Sequence, residues 1–196
     1  MSRIAITGAT GLIGRALATS LSGDGHRVVR VVRDPRTAGP EDVVWDPEAG
    51  TIDAAGLEGL DAVVHLAGEP IGASRWTDET RRRIHDSRER GTDLLARTLA
   101  GLEQRPDVLV SSSAVGIYGD RGDEELTEDS SHGDDFLARV CIAWEAAAEP
   151  AREAGIRVVH PRTGVVIAKD GPLIDKDELP FRLGVGARVG PRPQYV

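Results

Sequence analysis

The chain is short of residues on which several functions depend. Only one of its 196 residues is a cysteine, Cys141, so no internal disulfide and no multi-cysteine metal site can form, and we expect no bound metal. No run of 18 apolar residues occurs, so no membrane-spanning helix is predicted. The 24 basic residues are outnumbered by 32 acidic ones, which gives a net charge of −8. Without a positive field, neither nucleic acid nor an anionic membrane is expected as a partner.

Lysine and tyrosine are also scarce. The chain contains two lysines, Lys169 and Lys176, and two tyrosines, Tyr118 and Tyr195, beside 22 arginines. A mechanism that needs a lysine or a tyrosine therefore has very few candidates. The apolar stretch at residues 4–14 is interrupted by glycine and threonine, and no cleavage-site pattern follows it, so we predict a cytoplasmic protein.

Strand-like and helix-like segments alternate along the first 160 residues. Helical apolar spacing begins at residue 12 and stops near residue 23, and it returns at about 78–102 and about 136–154. Runs typical of strands occupy residues 3–7, 28–32, 43–45, 61–66, 108–112 and 156–160. This alternation predicts an α/β fold, a doubly wound parallel sheet with helices on both faces.

A glycine-rich loop joins the first strand to the first helix. It reads TGATGLIG at residues 7–14, which is the setting that a dinucleotide-binding fingerprint requires. Gly8 permits the tight turn, Gly11 lets the backbone approach a pyrophosphate, and Gly14 allows the helix to pack closely on the strand. An ordinary glycine turn is the alternative. Because three glycines fall in the first strand–helix crossover, we favour a Rossmann-type nucleotide-binding domain.

The residue after the second strand distinguishes the two nicotinamide cofactors. An acid there binds a free ribose 2′-hydroxyl, whereas an arginine accommodates a 2′-phosphate. Arg33 occupies this place, with Asp34 beside it and Arg36 close by. We therefore predict NADP(H) in preference to NAD(H). The alternative is that Asp34 and Pro35 begin a turn and that both arginines are solvated.

Several longer motifs resemble a known family. The loop at 7–14 is similar to the TGxxGxxG loop of extended short-chain dehydrogenases/reductases, and SSSAVGIYG at 111–119 is similar to a serine segment of their fifth strand. The whole set most resembles an atypical subgroup, the "epimerase family" proteins, which are related to NAD-dependent epimerases/dehydratases and nucleoside-diphosphate-sugar epimerases. The other motifs of the set are WDP at 45–47, DAVVHLAGEPI at 61–71, RWT at 75–77, SRERGT at 87–92, WEA at 144–146 and PFRLG at 180–184.

The resemblance also implies which residues face the cofactor. Extended relatives have an asparagine three residues before the Gly-Thr of the long helix, and Arg88 takes that place before Gly91 and Thr92. The alternative is that these arginines are solvated on the helix surface and do not contact the cofactor, and it applies above all to Arg83. The residues expected at the cofactor are Gly8, Thr10, Gly11, Leu12, Ile13, Gly14, Arg33, Leu66, Ala67, Gly68, Glu69, Arg83, Arg88 and Arg162.

The usual catalytic pair of this superfamily is missing. Typical members use a serine or threonine with Tyr-x-x-x-Lys, in which the lysine lowers the pKa of the tyrosine. Neither lysine of this chain follows a tyrosine at that interval, and alignment on Glu145 puts Leu137 and Cys141 in the two places. The remaining catalytic candidates are Ser112, Ser113 and Tyr118, the last expected in a loop at the mouth of the cleft.

Two functions stay open on this basis. The leading hypothesis is an NADP(H)-dependent oxidoreductase or epimerase-like enzyme that acts on a small polar or sugar-nucleotide-like substrate. The alternative is a non-catalytic NADP(H)-binding sensor, which the missing pair favours. We predict a cofactor domain at residues 1–168 and, at 169–196, the start of a small substrate-binding domain that is largely missing from this chain. A homodimer that uses Leu95, Leu99, Val140 and Trp144 is a further prediction, although core packing explains these residues equally well.

Overall fold

A seven-stranded sheet forms the centre of the protein. The structure, a computed structural model, describes residues 1–72 and 75–168 together with Gly171 and Gly184. Its strands are β1 (Arg3–Thr7), β2 (Arg27–Val32), β3 (Val43–Asp46), β4 (Thr51–Ile52), β5 (Ala62–His65), β6 (Val108–Ser111), β7 (Ser113–Ala114), β8 (Arg157–Val159) and β9 (Arg162–Thr163). The order in the large sheet is β4-β3-β2-β1-β5-β6-β8, and β7 pairs with β9 in a separate two-stranded sheet.

The strand order reverses beside β1. Both neighbours of this strand, β2 and β5, run parallel to it, and β4 pairs antiparallel with β3 at the edge of the sheet. The chain leaves β1 on one side and later returns on the other, so a crevice opens at the carboxyl ends of β1 and β5. In open α/β sheets, ligands bind at this switch point.

Helices cover both faces of the sheet, as the alternating pattern predicts. They are α1 (Leu12–Gly23), α2 (Asp78–Gly101), α3 (Phe136–Ala146) and α4 (Glu149–Glu153). Leu17 and Leu21 of α1 pack on Ile4 and Ile6 on one face. On the other face, α2 and α4 pack on the larger core cluster, which contains Ala5, Val29, Val63, Leu95, Leu99 and Ala151. The predicted α/β, Rossmann-type doubly wound fold is therefore confirmed.

One predicted helix is in fact two. The segment predicted as a single helix at 136–154 ends at Ala146 as α3 and begins again at Glu149 as α4. Pro150 explains the break, because a proline inside a helix lacks the N–H donor and clashes with the carbonyl four residues earlier, here that of Ala146. The two-residue strands β4, β7 and β9 were not predicted, since two residues are too few to show a periodic pattern.

The apolar residues predicted for a dimer face are core residues. Leu95 and Leu99 are fully buried, and Val140 and Trp144 are at most 7% exposed within the single chain. They cannot form that face, and a homodimer through another surface stays a prediction. Within residues 1–72 and 75–168, none of the helices combines the length and the apolar character needed to cross a bilayer. Apart from Gly171 and Gly184, the region predicted to begin a substrate domain lies outside the described residues, as do both lysines and Tyr195.

Candidate cofactor and active site

The loop between β1 and α1 can be built only with glycine at two positions. Gly8 has a φ of +65°, in the left-handed region, and a Cβ there would lie 2.9 Å from the carbonyl carbon of Leu66. A Cβ on Gly14 would lie 2.2 Å from the carbonyl oxygen of Gly8. The backbone N–H of Gly11 donates to that same oxygen over 2.9 Å. The first turn of α1 therefore lies directly against the turn that follows β1.

The N-terminus of α1 is suited to an anion. Gly11 is the N-cap residue, no side chain caps the helix, and its first turn contains no acidic residue. Unpaired N–H groups and the positive end of the helix dipole favour a phosphate at such a place. Thr10, Gly11 and Ile13 are exposed, so the surface over this turn is open. These residues fit the pyrophosphate of a dinucleotide.

A buried polar chain joins β1, β5 and α2 beneath this surface. The backbone N–H groups of Leu66 and Ala67 donate to Oγ1 of Thr7 over 3.0 and 3.1 Å. Oγ1 of Thr7 lies 2.7 Å from Nδ1 of His65, whose Nε2 lies 3.1 Å from Oγ1 of Thr92. Because Thr7 already accepts two hydrogen bonds, we infer that its hydroxyl donates to Nδ1, which leaves the proton of His65 on Nε2.

His65 is a structural residue. It is fully buried, and burial lowers its pKa to about 4, so the imidazole is neutral at physiological pH. Its ring stands edge-on to Trp45 at 5.9 Å. The Thr7–His65–Thr92 chain holds the loop after β5 against the glycine loop, which places Leu66 and Ala67 beside the crevice.

Arg88 reaches this second loop from α2. Its Nη1 donates to the carbonyl oxygens of Glu69 and Ile84 over 3.0 and 3.1 Å. The guanidinium carbon lies 5.0 Å from the ring centre of Trp144, and a Cβ on Gly68 would come within 3.3 Å of it. Burial lowers the pKa of Arg88, since only 8% of the residue is exposed. The resemblance implied that Arg88 faces the nucleotide, and the structure places it directly behind Gly68.

Glu69 and Arg83 lie above Arg88 at the surface. The N–H of Glu69 donates to Oγ of Ser87 over 3.0 Å, which ties the loop to α2. Nε of Arg83 lies 3.5 Å from Oε1 of Glu69, and its Nη1 lies 3.1 Å from Oε1 of Glu79. Arg83 is half exposed and paired twice, so its placement is compatible both with a nucleotide nearby and with a solvated helix surface.

The acid and the arginines after β2 have different surroundings. Asp34 caps a short 3₁₀ turn and accepts from the backbone N–H of Arg36, whose guanidinium pairs with the same carboxylate at 2.8 Å. These hydrogen bonds hold the pKa of Asp34 below its ordinary value. Arg33 is exposed and has no ion-pair partner among the described residues. The carboxylate is thus occupied, whereas Arg33 is available.

A network of polar side chains lies behind the serine segment. Oγ of Ser113 donates to Oε1 of Glu145 over 2.6 Å. The guanidinium of Arg162 binds both carboxylate oxygens, at 2.9 and 3.0 Å, and Nη1 also donates to the hydroxyl of Tyr118 over 2.8 Å and to the carbonyl of Glu128 over 3.1 Å. These contacts involve all three nitrogens of Arg162 and favour a structural role for it, while the cofactor contact stays a prediction.

Glu145 is ionised in this network. Burial opposes its charge, but the hydrogen bonds from Arg162 and Ser113 outweigh burial and hold the pKa of Glu145 below its ordinary value. The carboxylate in turn raises the pKa of Arg162. A cleft of about 590 Å³ adjoins the network, and its lining includes Tyr118, Glu128, Glu145 and Arg162. Sequence reasoning used Glu145 only as an alignment point, and no local pattern indicated its partners.

The three catalytic candidates are in different environments. Tyr118 lies in a 3₁₀ turn beside the cleft, where it is only 6% exposed, so its expected contact with a substrate stays a prediction. Ser113 is buried and donates to Glu145. Ser112 is partly exposed, and its backbone N–H donates to the carbonyl of His65 over 3.0 Å. Of the three, Ser112 has the hydroxyl most open to a substrate.

The positions of the missing catalytic pair are apolar. Leu137 and Cys141 lie on the same side of α3, and Cys141 packs with Ile117 and Tyr118 in a small buried cluster. Burial raises the pKa of the Cys141 thiol, and the charge of Arg88 opposes this shift. The thiol is therefore protonated at neutral pH, and α3 brings no cation to this part of the site.

Potential metal ligands meet at one place in the described part of the chain. His85, Asp86 and Glu89 offer ligand atoms within 4.8 Å of one another on the outer side of α2. Arg90 lies 3.3 Å from Asp86, so these groups belong to a solvated row of charges. We assign no function to this cluster.

The glycine loop, the uncapped helix and the crevice at the switch point together define a Rossmann-type dinucleotide-binding protein. The sequence pattern described as the NAD dependent epimerase/dehydratase family matches residues 4–167. The chain belongs to this family of NAD(P)-binding, epimerase-like proteins, as its motifs implied.

Two curated relatives and two solved structures illustrate the similarity. Epimerase family protein Mb2239 of Mycobacterium bovis is 39% identical over 193 residues, which cover 98% of this chain and 63% of the relative. Human epimerase family protein SDR39U1 is 37% identical over 196 residues, which cover 98% of this chain and 64% of the human protein. The chain thus spans less than two thirds of the length of these relatives.

The solved structures have the same fold. The nucleoside-diphosphate sugar epimerase of Corynebacterium glutamicum superposes with a TM-score of 0.83 at 42% identity, covering 96% of this chain and 39% of that one. Human SDR39U1 (isoform 2), solved with NADPH, superposes with a TM-score of 0.82 at 38% identity, and the match covers 94% of this chain and 61% of the human chain. The relative therefore holds a nicotinamide cofactor on a very similar framework.

Proposed function

We propose that the protein binds NADP(H) in preference to NAD(H) and acts in the cytoplasm as an oxidoreductase or epimerase-like enzyme. Its substrate would be a small polar molecule of the sugar-nucleotide type, and residues 1–168 would form the cofactor domain. The observation that carries the cofactor preference is the contrast after β2. Arg33 is exposed and unpaired within the described residues, whereas Asp34 is held by Arg36. The NADPH bound to human SDR39U1 supports the same preference.

Different residues along the crevice bind different parts of the cofactor and the substrate. Gly11 and the first turn of α1 bind the pyrophosphate, Arg33 binds the 2′-phosphate, and the loop from Leu66 to Glu69 supports the ribose. The nicotinamide supplies hydride transfer. Ser112 at the end of β6 donates a hydrogen bond to a substrate oxygen, while Ser113, Glu145, Arg162 and Tyr118 hold the serine segment in position.

Substitution of Arg33 tests the cofactor preference. We expect Arg33→Ala to weaken the binding of NADPH by about 1–3 kcal/mol more than the binding of NADH, because it removes a charge-assisted hydrogen bond to the 2′-phosphate. The measurement is calorimetric titration with each cofactor. Arg97→Ala is the matched control, because Arg97 is an exposed arginine that pairs with Asp93 on the outer side of α2. An equal loss for both cofactors would remove the assignment.

A cofactor-binding sensor is the second candidate. Leu137 and Cys141 occupy the places of the usual tyrosine and lysine, so the ordinary proton donor is missing. A screen of carbonyl substrates, followed by NADPH oxidation, separates the two functions. Turnover that depends on Ser112 supports the enzyme, and tight NADPH binding without turnover of any carbonyl substrate supports the sensor.

A further inference from the structure

Two departures from the family pattern lie next to each other in the structure. Cys141 stands where typical relatives have the lysine, so α3 loses a positive charge. Arg88 stands where extended relatives have an asparagine, so α2 gains one. The two side chains are 53 positions apart in sequence, yet they interact electrostatically, and Trp144 from α3 lies against the guanidinium. The charge lost from one helix is therefore regained nearby from the other.

Arg88 is a buried cation whose nearest acidic influence, the Glu69 carboxylate, acts on it through space and forms no ion pair with it. Only 8% of it is exposed, and its hydrogen bonds run to two backbone carbonyls, those of Glu69 and Ile84. No carboxylate lies within ion-pair distance of Arg88 among residues 1–72 and 75–168. A buried charge that lacks a counter-ion costs stability, and an apolar side chain of similar size is often no worse for the fold. The two carbonyl hydrogen bonds and the Trp144 ring offset part of this cost, so stability by itself gives only a weak reason for an arginine here.

The guanidinium lies at the edge of the crevice. Its carbon would be 3.3 Å from a Cβ on Gly68, so only a glycine lets the charge lie this close behind the loop that follows β5. Gly68 follows β5 and is exposed at the carboxyl edge of the sheet, where the cofactor is expected. Arg33 lies after β2 on the other side of β1, so the two arginines serve different ends of the crevice.

We propose that Arg88 supplies, from α2, the positive charge that the missing lysine would supply from α3, and that it binds the nicotinamide-ribose half of the cofactor. This proposal rests on the proposed NADP(H) binding. Arg88 acts at the reacting end of the crevice, and its role is independent of the 2′-phosphate that Arg33 binds. The same charge is available to an oxygen of the substrate that becomes negative during reduction.

Charge-changing variants of Arg88 test the proposal. We expect Arg88→Met and Arg88→Gln to weaken NADPH and NADH by the same factor, tenfold or more, in calorimetric titration. Binding of adenosine 2′,5′-bisphosphate, which lacks the nicotinamide half, should change less than twofold. Arg88→Lys retains a charge and should retain most of the NADPH affinity. When Cys141→Lys is added to Arg88→Met, the NADPH affinity should rise at least threefold, because the lysine returns a positive charge from α3.

Thermal unfolding of the ligand-free variants separates this role from a structural one. We expect Arg88→Met to unfold close to the wild-type temperature, because the cost of burying the charge is removed together with the two carbonyl hydrogen bonds and the Trp144 contact. Wild-type NADPH affinity in Arg88→Met, or an equal loss for adenosine 2′,5′-bisphosphate, would overturn the proposal. If Arg88→Met does not fold, Arg88→Gln decides, since its amide can still donate to the Glu69 carbonyl. If the wild-type protein does not bind NADPH, the proposed function itself fails, which is a distinct result.

Discussion

The pair between Glu145 and Arg162 should contribute strongly to stability. Oε1 of Glu145 accepts from Nε of Arg162 and Oγ of Ser113, while Oε2 accepts from Nη2 of Arg162. In Glu145→Gln one of these oxygens becomes an amide nitrogen, which opposes either a guanidinium donor or the serine hydroxyl. Arg162 also loses its counter-ion in a place where only 19% of its side chain is exposed.

Breaking a buried ion pair at one partner costs about 3–5 kcal/mol. Since both side chains retain slight exposure, 19% and 16%, we expect a value near the lower limit, about 3 kcal/mol. For a domain of this size, that corresponds to a decrease of about 6–12 °C in the unfolding temperature. Urea unfolding followed by far-UV circular dichroism measures the free energy directly.

Glu149→Gln is the matched control, because Glu149 pairs with Arg152 over 2.7 Å at the surface, where both side chains are about half exposed. Exposed pairs contribute about 0.2–1 kcal/mol. A similarly small loss for Glu145→Gln would refute the structural role of the network. The pKa of Glu145 is held below its ordinary 4.5, so the pair stabilises the fold above about pH 4.5 and this stabilisation is lost as pH falls. The difference between wild type and variant should therefore shrink in acid.

Two further predictions concern the framework. Gly14→Ala should destabilise the fold by several kcal/mol, because its Cβ would meet the Gly8 carbonyl oxygen at 2.2 Å. Gly23→Ala in the same helix is the control: its Cβ meets nothing within 4 Å, so it should stabilise the fold by about 0.5–1 kcal/mol. Equal effects of the two substitutions in chemical denaturation would contradict this packing. Burial lowers the pKa of His65 from 6.5 to about 4, so the unfolded chain binds a proton that the folded chain excludes, and stability should fall as pH drops through this window. His65→Gln should remove this dependence of the unfolding free energy on pH, whereas His132→Gln, in an exposed loop, should leave it in place. If the unfolding free energy of His65→Gln changes with pH as in the wild type, the imidazole is not buried in its neutral form.

Local patterns were sufficient to predict the fold and the glycine loop. The features at residues 7–14 are contiguous, and the turn, the close backbone approach and the helix start all follow from the positions of three glycines. The strands are also local signals, since β-branched runs report burial on both faces of a sheet. The break before Glu149 could have been predicted from Pro150, because its effect on the preceding carbonyl depends only on spacing.

The polar networks could not be predicted in this way. Glu145 meets Ser113 and Arg162 across 32 and 17 positions, and these contacts arise only when β7, β9 and α3 come together. The sequence likewise shows 22 arginines but not which of them is buried. Arg88 differs from Arg83 because its side of α2 packs on Trp144 and Gly68, and that difference depends on the tertiary fold.

The most direct test of the cofactor site is a calorimetric titration of the wild-type protein and Gly11→Asp with NADPH and NADH. Aspartate is a favourable N-cap residue, and the backbone of Gly11 is already extended; its Cβ would lie 3.3 Å from the carbonyl oxygen of Gly8, a close contact that a small shift relieves, so we expect this variant to fold. Its carboxylate would occupy the anion site at the start of α1. We predict that the wild type binds NADPH more tightly than NADH, and that Gly11→Asp binds neither while it retains a cooperative unfolding transition. Equal NADPH binding by the folded variant, or no binding by the wild type, would contradict a cofactor site at this loop.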